Sequence, residues 1–167
     1  MDSPEEQMSE NLLRSMLAKG EFCCTAELVL GRDHEVVEAE TFIRDASGEP
    51  RGIKVISVTD LPVGNPALPP EAFLSYILEH NLTPIAHLTG KDGNRSLLEG
   101  RLHAMARIGA KNILALTGDA QKDGFAGRAK PVHDLDSVLI LWLTQAMRSG
   151  IEYRLGSRTV RSTTAPV

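Results

Sequence analysis

Two kinds of apolar pattern alternate along the chain. Short runs of consecutive apolar residues, typical of buried strands, are each followed by a segment in which apolar residues recur every three or four positions, as on one helix face. The runs predict four strands, at 22–30, 52–60, 83–90 and 111–119. The periodic segments predict helices at 34–45, 68–80, 97–110 and 134–150, after a leading helix at 5–18. Ser96, with Glu99 three residues later, is the expected N-cap of the third of these helices.

This order of elements predicts an α/β fold built from parallel β/α units, because successive strands joined by a helix lie parallel with right-handed crossovers. Two architectures fit the pattern, an open doubly wound sheet and part of a (β/α)8 barrel. Residues 1–150 carry the units, and residues 151–167 form a polar segment after them. In both architectures ligands bind at the carboxyl ends of the strands.

Polar residues stand at the predicted carboxyl end of every strand. A Gly-Asp pair after a strand is also an ordinary turn, so the fourth of these positions alone carries little weight. Together they would crowd one rim of the sheet, which favours a binding or catalytic site. The residues are Glu27, Thr59, Asp60, His87, Thr117, Gly118 and Asp119.

Composition and charge restrict the classes of protein to which this chain can belong. Hydrophobic residues make up 42% of the chain and charged residues 24%, as in globular proteins. The formal net charge of −4 does not indicate the basic surface that nucleic-acid-binding proteins carry. No apolar run in the sequence is long enough to cross a membrane. The acidic N-terminus does not resemble a signal peptide, so we expect a cytoplasmic protein without membrane or nucleic-acid partners. Cys23 and Cys24 are adjacent, which makes a disulfide between them strained, and we expect both to be buried.

Three chemistries suit the predicted rim. His87 and the three carboxylates could ligate a metal, but no HxH or HExxH spacing is present, so we predict no metal site. The segment at 89–95, TGKDGNR, lacks the glycine spacing of a phosphate loop. The third possibility is a planar heterocycle whose edge is bound by backbone and side-chain groups while one carboxylate supplies a proton.

Four motifs at the strand ends resemble the methylenetetrahydrofolate reductase family. They are, in order, TAEL, VTDLPVGNP, PIAHLTGKDGNR and GAKNILALTGD, and the later DLDSVLIL is also similar. The resemblance spans about residues 20–150. It implies a flavin-binding (β/α)8 barrel that uses FAD to transfer a hydride from NADH or NADPH to 5,10-methylenetetrahydrofolate, giving 5-methyltetrahydrofolate.

The resemblance also implies roles for the residues at the rim. Glu27 matches the catalytic acid on the first strand, held in an apolar setting, and Asp119 faces both the flavin and the folate pterin. Gly118 would let the backbone approach the flavin ring closely. The positions matching flavin contacts are Thr59, Asp60, His87, Thr117, Gly118 and Asp119.

The resemblance leads us to expect about half of a TIM-type barrel preceded by an N-terminal helix. The family would continue into a fifth strand near residue 151, where this sequence becomes rich in Gly, Ser and Thr. Three interpretations remain: the N-terminal half of a reductase, a half-barrel completed by a second copy or a partner chain, and a non-catalytic flavin- or folate-binding module.

Overall fold

The computed structural model describes residues 11–32, 36–48, 52–122, 125 and 127–162. Within these ranges helices and strands alternate, and a short 3₁₀ turn, Pro62–Gly64, follows the second strand. The helices are α1 (Leu12–Lys19), α2 (Val36–Ser47), α3 (Glu71–Glu79), α4 (Arg95–Ile108) and α5 (Ser137–Ser149). The strands are β1 (Thr25–Leu28), β2 (Val55–Val58), β3 (Thr83–Thr89), β4 (Ile113–Leu116), β5 (Ile151–Leu155) and β6 (Arg158–Ser162).

The first four strands form one parallel sheet in the order β1-β2-β3-β4. Thr25 pairs with Val55, Val55 with Thr83, and Ala86 with Ile113. A helix separates each strand from the next, so the predicted α/β class with parallel β/α units is confirmed. The leading helix is also present as α1, although residues 5–10 of its predicted range, like His34 at the start of the second helix, lie outside the described residues.

One face of this sheet is covered by helices and forms the hydrophobic core. Alternate residues of a strand point to opposite faces, so the residues in this core occupy every second strand position. Fully burying a Leu or Ile side chain contributes about 1.5–3 kcal/mol, which makes this layer the main apolar stabilisation of the sheet. Its strand members are Leu28, Ile56, Val58, Ala86 and Leu88, and its helix members include Ile43, Leu74, Ile77, Leu102, Met105, Ile140 and Leu143.

The opposite face of the sheet is mixed in character and partly open to water. The strand register places Glu27, Ser57 and Ile85 beside one another on this face, and His87 beside Leu114. The Glu27 side chain is 54% exposed and Leu114 is 44% exposed. The face that carries the candidate chemistry is therefore the one without the helical layer.

The observed bounds of α2 to α5 differ from the predicted ones by up to three residues, and α1 begins at Leu12, with Asn11 as its N-cap, where the prediction ran the helix through residue 11. The start of α4 also differs in its cap. The side chain of Asn94, not Ser96, accepts a hydrogen bond from Leu97 N at 2.9 Å and caps the helix. The predicted cap is wrong because α4 already begins at Arg95, which places Ser96 inside the first turn. Asp136 caps α5 in the same manner, through Leu139 N at 2.8 Å.

Residues after α5 form an antiparallel hairpin that the apolar pattern did not predict. Ile151 pairs with Ser162 and Leu155 with Arg158, so only two residues make the turn. Gly156 adopts a φ of 62°, a left-handed conformation that costs glycine little. β5 pairs with β6 and not with the parallel sheet. The division of the chain at residue 150 stays a prediction.

The expectation that both cysteines are buried is wrong. Cys24 is exposed and Cys23 is partly exposed, and both thiols are free. The reason is that β1 begins only at Thr25, three residues later than the apolar run suggests, so the pair precedes the sheet.

A partly buried ion-pair cluster, centred on the buried Asp60, connects the helical layer to the ends of the central strands. The guanidinium of Arg101 on α4 contacts Asp60 Oδ2 at 2.9 Å and Glu71 Oε1 at 2.6 Å. Burial lowers the pKa of Arg101, but the hydrogen bond to Glu71 and the charge of Asp60 outweigh this effect and raise it overall. Asp60 also accepts a hydrogen bond from Thr89 N at 2.8 Å, so the cluster fixes the end of β3.

Replacing Arg101 should therefore destabilise the fold much more than replacing an exposed arginine of the same helix. Arg101→Met leaves Asp60, whose side chain is 4% exposed, without its counter-charge, and we expect the free energy of unfolding to fall by about 3–5 kcal/mol. Arg107→Met, at an exposed position of α4, should change it by less than about 0.5 kcal/mol. Urea unfolding of both variants measures the difference, and equal losses would show that the cluster does not stabilise the sheet.

Candidate active site

Two predicted site residues, Glu27 and His87, meet on the open face of the sheet. Glu27 lies on β1 and His87 on β3, and both project to the same side, across Ser57 of β2. Glu27 Oε1 is 3.9 Å from His87 Nε2. The parallel register thus brings a carboxylate and an imidazole from residues 60 positions apart to within ion-pair distance.

The two partners differ in their exposure to water. His87 is 6% exposed, and burial lowers the pKa of its imidazole, an effect that the negative charges of Glu27 and Asp60 oppose only in part. His87 is therefore neutral at pH 7, with one ring nitrogen able to donate and the other able to accept. Glu27, by contrast, is half-exposed, so the apolar setting expected for it is wrong. The strand places its side chain on the face that the helices do not cover.

Thr59 holds the ends of β1 and β2 together. Its backbone N donates to Leu28 O at 3.1 Å, and its hydroxyl accepts a hydrogen bond from Leu30 N at 3.2 Å. The residue is buried, at 7% exposure. It stands two positions after Ser57, on the face that carries Glu27.

Asp60, the next residue, projects to the other side of the sheet. Oδ2 accepts from Thr89 N and from Arg101, and Oδ1 lies 3.3 Å from a second Arg101 nitrogen. Both carboxylate oxygens are therefore occupied by donors of the protein itself. The structure brings Asp60 into the helical layer and not beside Glu27, and its role at a flavin edge stays a prediction.

The segment Thr117-Gly118-Asp119 forms an exposed tip directly after β4. The Thr117 carbonyl accepts from Lys91 N at 3.1 Å, which joins the tip to the end of β3. Gly118 has a φ of 99°, and a Cβ at this position would overlap Thr89 Cγ2. Only glycine both adopts this positive φ without strain and lacks the Cβ that would collide with Thr89. The tip therefore lies tightly against β3, while Asp119 reaches into solvent.

Lys91 is a rim residue whose structural importance sequence reasoning missed. Its side chain is 3% exposed and forms an ion pair with Asp92, and its carbonyl accepts from Val132 N and His133 N at 2.7 and 2.9 Å. Lys91 Cγ would lie 3.2 Å from a Cβ on Gly118. The adjacent Lys91 and Asp92 directly after the predicted third strand were the sequence signal for this role. In the structure, Lys91 lies next to Gly118 and supports the tip.

The loops after β2 and β4 pack against each other at the same rim. Lys122 N donates to Gly64 O, and a Cβ on Gly64 would overlap the carbonyl of Ala120. Leu61 and Val63 have φ values of 50° and 54°, which are unfavourable for side chains of their shape. Backbone strain of this kind concentrates at binding and catalytic sites.

The arrangement suits proton transfer to a ligand that lies on the open face. Carboxyl and imidazole groups are the side chains that most often act in general acid–base catalysis, and Glu27 is accessible from the open face. In the described ranges, no group of three or more His, Cys, Asp or Glu side chains is placed to hold a metal ion. None of the described helices is long and apolar enough to cross a membrane.

Comparison with known families shows the family to which the chain belongs. The family model of methylenetetrahydrofolate reductase matches residues 12–151, which include all four β/α units of the parallel sheet. The chain belongs to the methylenetetrahydrofolate reductase family. No curated protein matches the chain closely enough to be counted as a relative.

Membership in the methylenetetrahydrofolate reductase family confirms the suspected resemblance and supports an oxidoreductase-type function in folate metabolism. The family fold is a TIM barrel, with which the four parallel β/α units are consistent. Proteins of the family generally bind flavin and act on a folate. The individual roles of Glu27, Asp119 and the other rim residues are not tested by the match and stay predictions.

The buried imidazole of His87 should make stability depend on pH. The unfolded chain takes up a proton near the ordinary histidine pKa of about 6.5, whereas the lowered pKa of His87 delays protonation in the folded chain. Below about pH 6.5 this difference should reduce the free energy of unfolding, by at most about 1.4 kcal/mol per pH unit, until the folded-state pKa is passed.

Urea unfolding between pH 5 and 8 measures this effect. His87→Gln should lack the His87 component of the pH slope, while His103→Gln, at a position whose side chain is 37% exposed, should keep it. If His87→Gln and the unmodified protein show the same slope, the imidazole is not held neutral by the fold.

Proposed function

We propose that this chain serves the flavin-dependent reduction of 5,10-methylenetetrahydrofolate to 5-methyltetrahydrofolate, with FAD as cofactor and NADH or NADPH as hydride source. The observation that supports this most is the Glu27–His87 pair, 3.9 Å apart on the open face of a sheet that belongs to this reductase family. A reductase of this kind needs an acid at the folate and a surface for the flavin, and we assign these roles to Glu27 and to the exposed tip after β4.

The described residues fit the ring of a flavin. The absence of a side chain at Gly118 lets the tip lie against Thr89, and the backbone of Gly118 is exposed at the rim, where a flat ring could approach it. Thr117 and Thr59 border the same edge with hydroxyl groups that already accept backbone hydrogen bonds, so their positions are fixed. When bound, FAD would supply hydride transfer, which no side chain can perform.

Glu27 is the proposed acid of the folate reaction. The five-membered ring that bridges the two folate nitrogens must open before the methylene carbon can accept a hydride, and opening requires a proton on the departing nitrogen. The carboxyl group of Glu27 is accessible from the open face and can deliver this proton. His87 Nε2 lies 3.9 Å from Glu27 Oε1 and borders the proposed acid on one side.

Asp119 is the proposed electrostatic residue of the tip. Ring opening leaves a cationic iminium on the folate, and a nearby carboxylate stabilises this charge. Beside a bound flavin, the same carboxylate would disfavour negative charge on the ring and would thereby lower its reduction potential. Its exposed position after β4 leaves Asp119 free to face both groups.

A second function is favoured by the exposure of the inner residues. Leu114 and Glu27 remain 44% and 54% exposed. A non-catalytic module that binds flavin or folate, or that acts only together with a partner chain, would have the same open face. Flavin absorbance near ~450 nm in the purified chain, followed by assay of both half-reactions, separates turnover from binding alone.

Glu27→Gln should separate the two half-reactions. We expect reduction of the folate to slow by about 10²–10⁴-fold, because the proton donor is lost, while flavin reduction by the nicotinamide persists. Stopped-flow absorbance measures each half-reaction in the FAD-loaded protein. Glu21→Gln, an exposed acid before β1, is the matched control and should leave both rates unchanged. Equal loss of both half-reactions in Glu27→Gln would rule out its assignment as the folate acid.

Asp119→Asn should raise the flavin reduction potential, because a negative charge near the ring is removed. Reductive titration of the FAD-loaded protein against a reference dye measures the potential. Asp45→Asn, which removes an exposed charge from α2, is the control and should not shift it. An unchanged potential in Asp119→Asn would mean that the tip does not face the flavin.

A further inference from the structure

We propose that Lys91 is the positioning residue of the rim: it holds the tip at residues 117–119 and the loop at residues 132–134 in the arrangement that offers the backbone of Gly118 to a flat ring. The inference rests on the proposed function in one respect, because the tip is the surface that we assign to the flavin. Its physical basis lies in the backbone contacts, the packing and the charge pairing of Lys91.

The backbone of Lys91 joins three segments of the rim. Lys91 lies in the turn between β3 and α4, and its N–H donates to Thr117 O at 3.1 Å, at the start of the tip. Its carbonyl accepts from Val132 N at 2.7 Å and from His133 N at 2.9 Å, in the loop before α5. The donor and the acceptor of one residue thus bind two different loops, so a displacement of Lys91 would break its contacts with both.

The side chain of Lys91 packs directly against the tip. A Cβ on Gly118 would lie 3.2 Å from Lys91 Cγ and 3.4 Å from Lys91 Cδ, so the tip lies on the aliphatic part of the lysine. A Cβ on Gly90, the preceding residue, would overlap the carbonyl of Leu135. Because the packing is this close, the methylene groups of Lys91 set the distance between the tip and the end of β3.

The ammonium group of Lys91 is buried together with its partner. The Lys91 side chain is 3% exposed and forms an ion pair with the adjacent Asp92, whose side chain is 14% exposed. Among the described residues, no donor reaches the other carboxylate oxygen of Asp92, Oδ1, which is also buried. Without Lys91, this carboxylate would have no donor in the described part of the chain, which is strongly unfavourable for a buried charge. Asp92 would then have to move toward water and displace the turn after β3.

Backbone strain in the loop before α5 supports the same role. His133 has a φ of 52°, a left-handed conformation that a residue other than glycine keeps only when its surroundings hold it. The hydrogen bond from its N–H to the carbonyl of Lys91 is one such contact. Asp134, the next residue, accepts a hydrogen bond from Arg95 N at 2.7 Å. The loop is therefore attached to the segment after β3 at two successive residues, and Lys91 supplies one of these attachments.

The consequence for a ligand is that the tip is ordered before the ligand binds. A flat ring that lies on the backbone of Gly118 binds more tightly to a tip already in place, because ordering a loop on binding reduces the affinity. The Lys91 side chain is buried on the β3 side of the tip, which leaves the exposed side of Gly118 to the ring. Lys91 therefore acts on the ligand through the tip, and its loss should loosen the tip even when no ligand is present.

Hydrogen exchange of single amides in the flavin-free chain tests the positioning directly. In Lys91→Met, the amides of Val132 and Ser137 should exchange at least about 10-fold faster, because their acceptors belong to residue 91 and to the tip. The amide of Ala86, which is hydrogen-bonded inside the sheet, should keep its rate. Lys91→Gln, which keeps a group able to donate to the neighbouring carboxylate, replaces the first variant if circular dichroism shows that Lys91→Met does not fold.

Two further variants separate positioning from a general loss of stability. Lys91→Met/Asp92→Leu removes both charges together and leaves no unpaired carboxylate in the turn, so Val132 should exchange more slowly in it than in Lys91→Met. Lys19→Met, at the exposed end of α1, is the matched control and should leave all these rates unchanged.

Fluorescence titration of the same samples with FAD connects the tip to ligand binding. Lys91→Met should weaken FAD binding at least about 10-fold, whereas Lys19→Met should bind FAD as the unmodified chain does. Three outcomes would overturn the proposal: unchanged exchange at Val132 and Ser137 in Lys91→Met, a double variant that exchanges no more slowly than Lys91→Met, or a loosened tip with unchanged FAD affinity.

The two readouts keep this inference separate from the proposed function. A tip that loosens in Lys91→Met, in a chain of which no variant binds FAD, would support the positioning by Lys91 and contradict the proposed function. A chain that binds FAD and reduces folate, but whose tip is indifferent to Lys91→Met, would do the reverse.

Discussion

The Asp60 carboxylate accepts hydrogen bonds from Thr89 N and from Arg101, and through them it ties the ends of the two central strands to the helical layer. Thr89 stands two residues after His87, and Thr59 immediately precedes Asp60, so the same contacts fix both rim residues. A buried ion pair of this kind adds little stability compared with an apolar replacement, but it becomes costly when one partner is removed. Its contribution here is position: the strand ends cannot shift without exposing an unpaired charge.

The chemistry of the rim follows from the alternation of side chains along each strand. Along β2, the side chains of Ile56 and Val58 enter the helical layer, and Asp60 follows them. Ser57, followed by Thr59, faces the open side. Glu27 and His87 therefore approach each other on the face of the sheet that the helices do not cover. Because one is half-exposed and the other is nearly buried, the pair combines access for a ligand with an imidazole whose pKa is lowered.

Much of the fold could be predicted from the sequence because four apolar runs and the periodic segments between them specify the buried face directly. The details that failed depend on single residues. Asn94 competes with Ser96 for the cap of α4, and spacing alone does not decide between them. The hairpin signal, Gly156-Ser157 between two short strands, was present but lies in a polar segment with little apolar alternation. The partner of Asp60 lies 41 residues away on α4, beyond the reach of any local pattern.

The candidate site was predicted as a set of positions but not as a set of orientations. Every polar residue at a strand end was assigned to the rim, yet neighbouring residues such as Thr59 and Asp60 face opposite ways, and the carboxylate of Asp60 turns toward Arg101 in the helical layer. Strand register settles this, because it assigns each position to the face of its paired neighbours. The same reasoning explains Gly118: it continues the open face beyond β4, where any side chain would collide with Thr89. Whether a polar residue at a strand end faces the open side or anchors the helical layer thus depends on its parity in the strand.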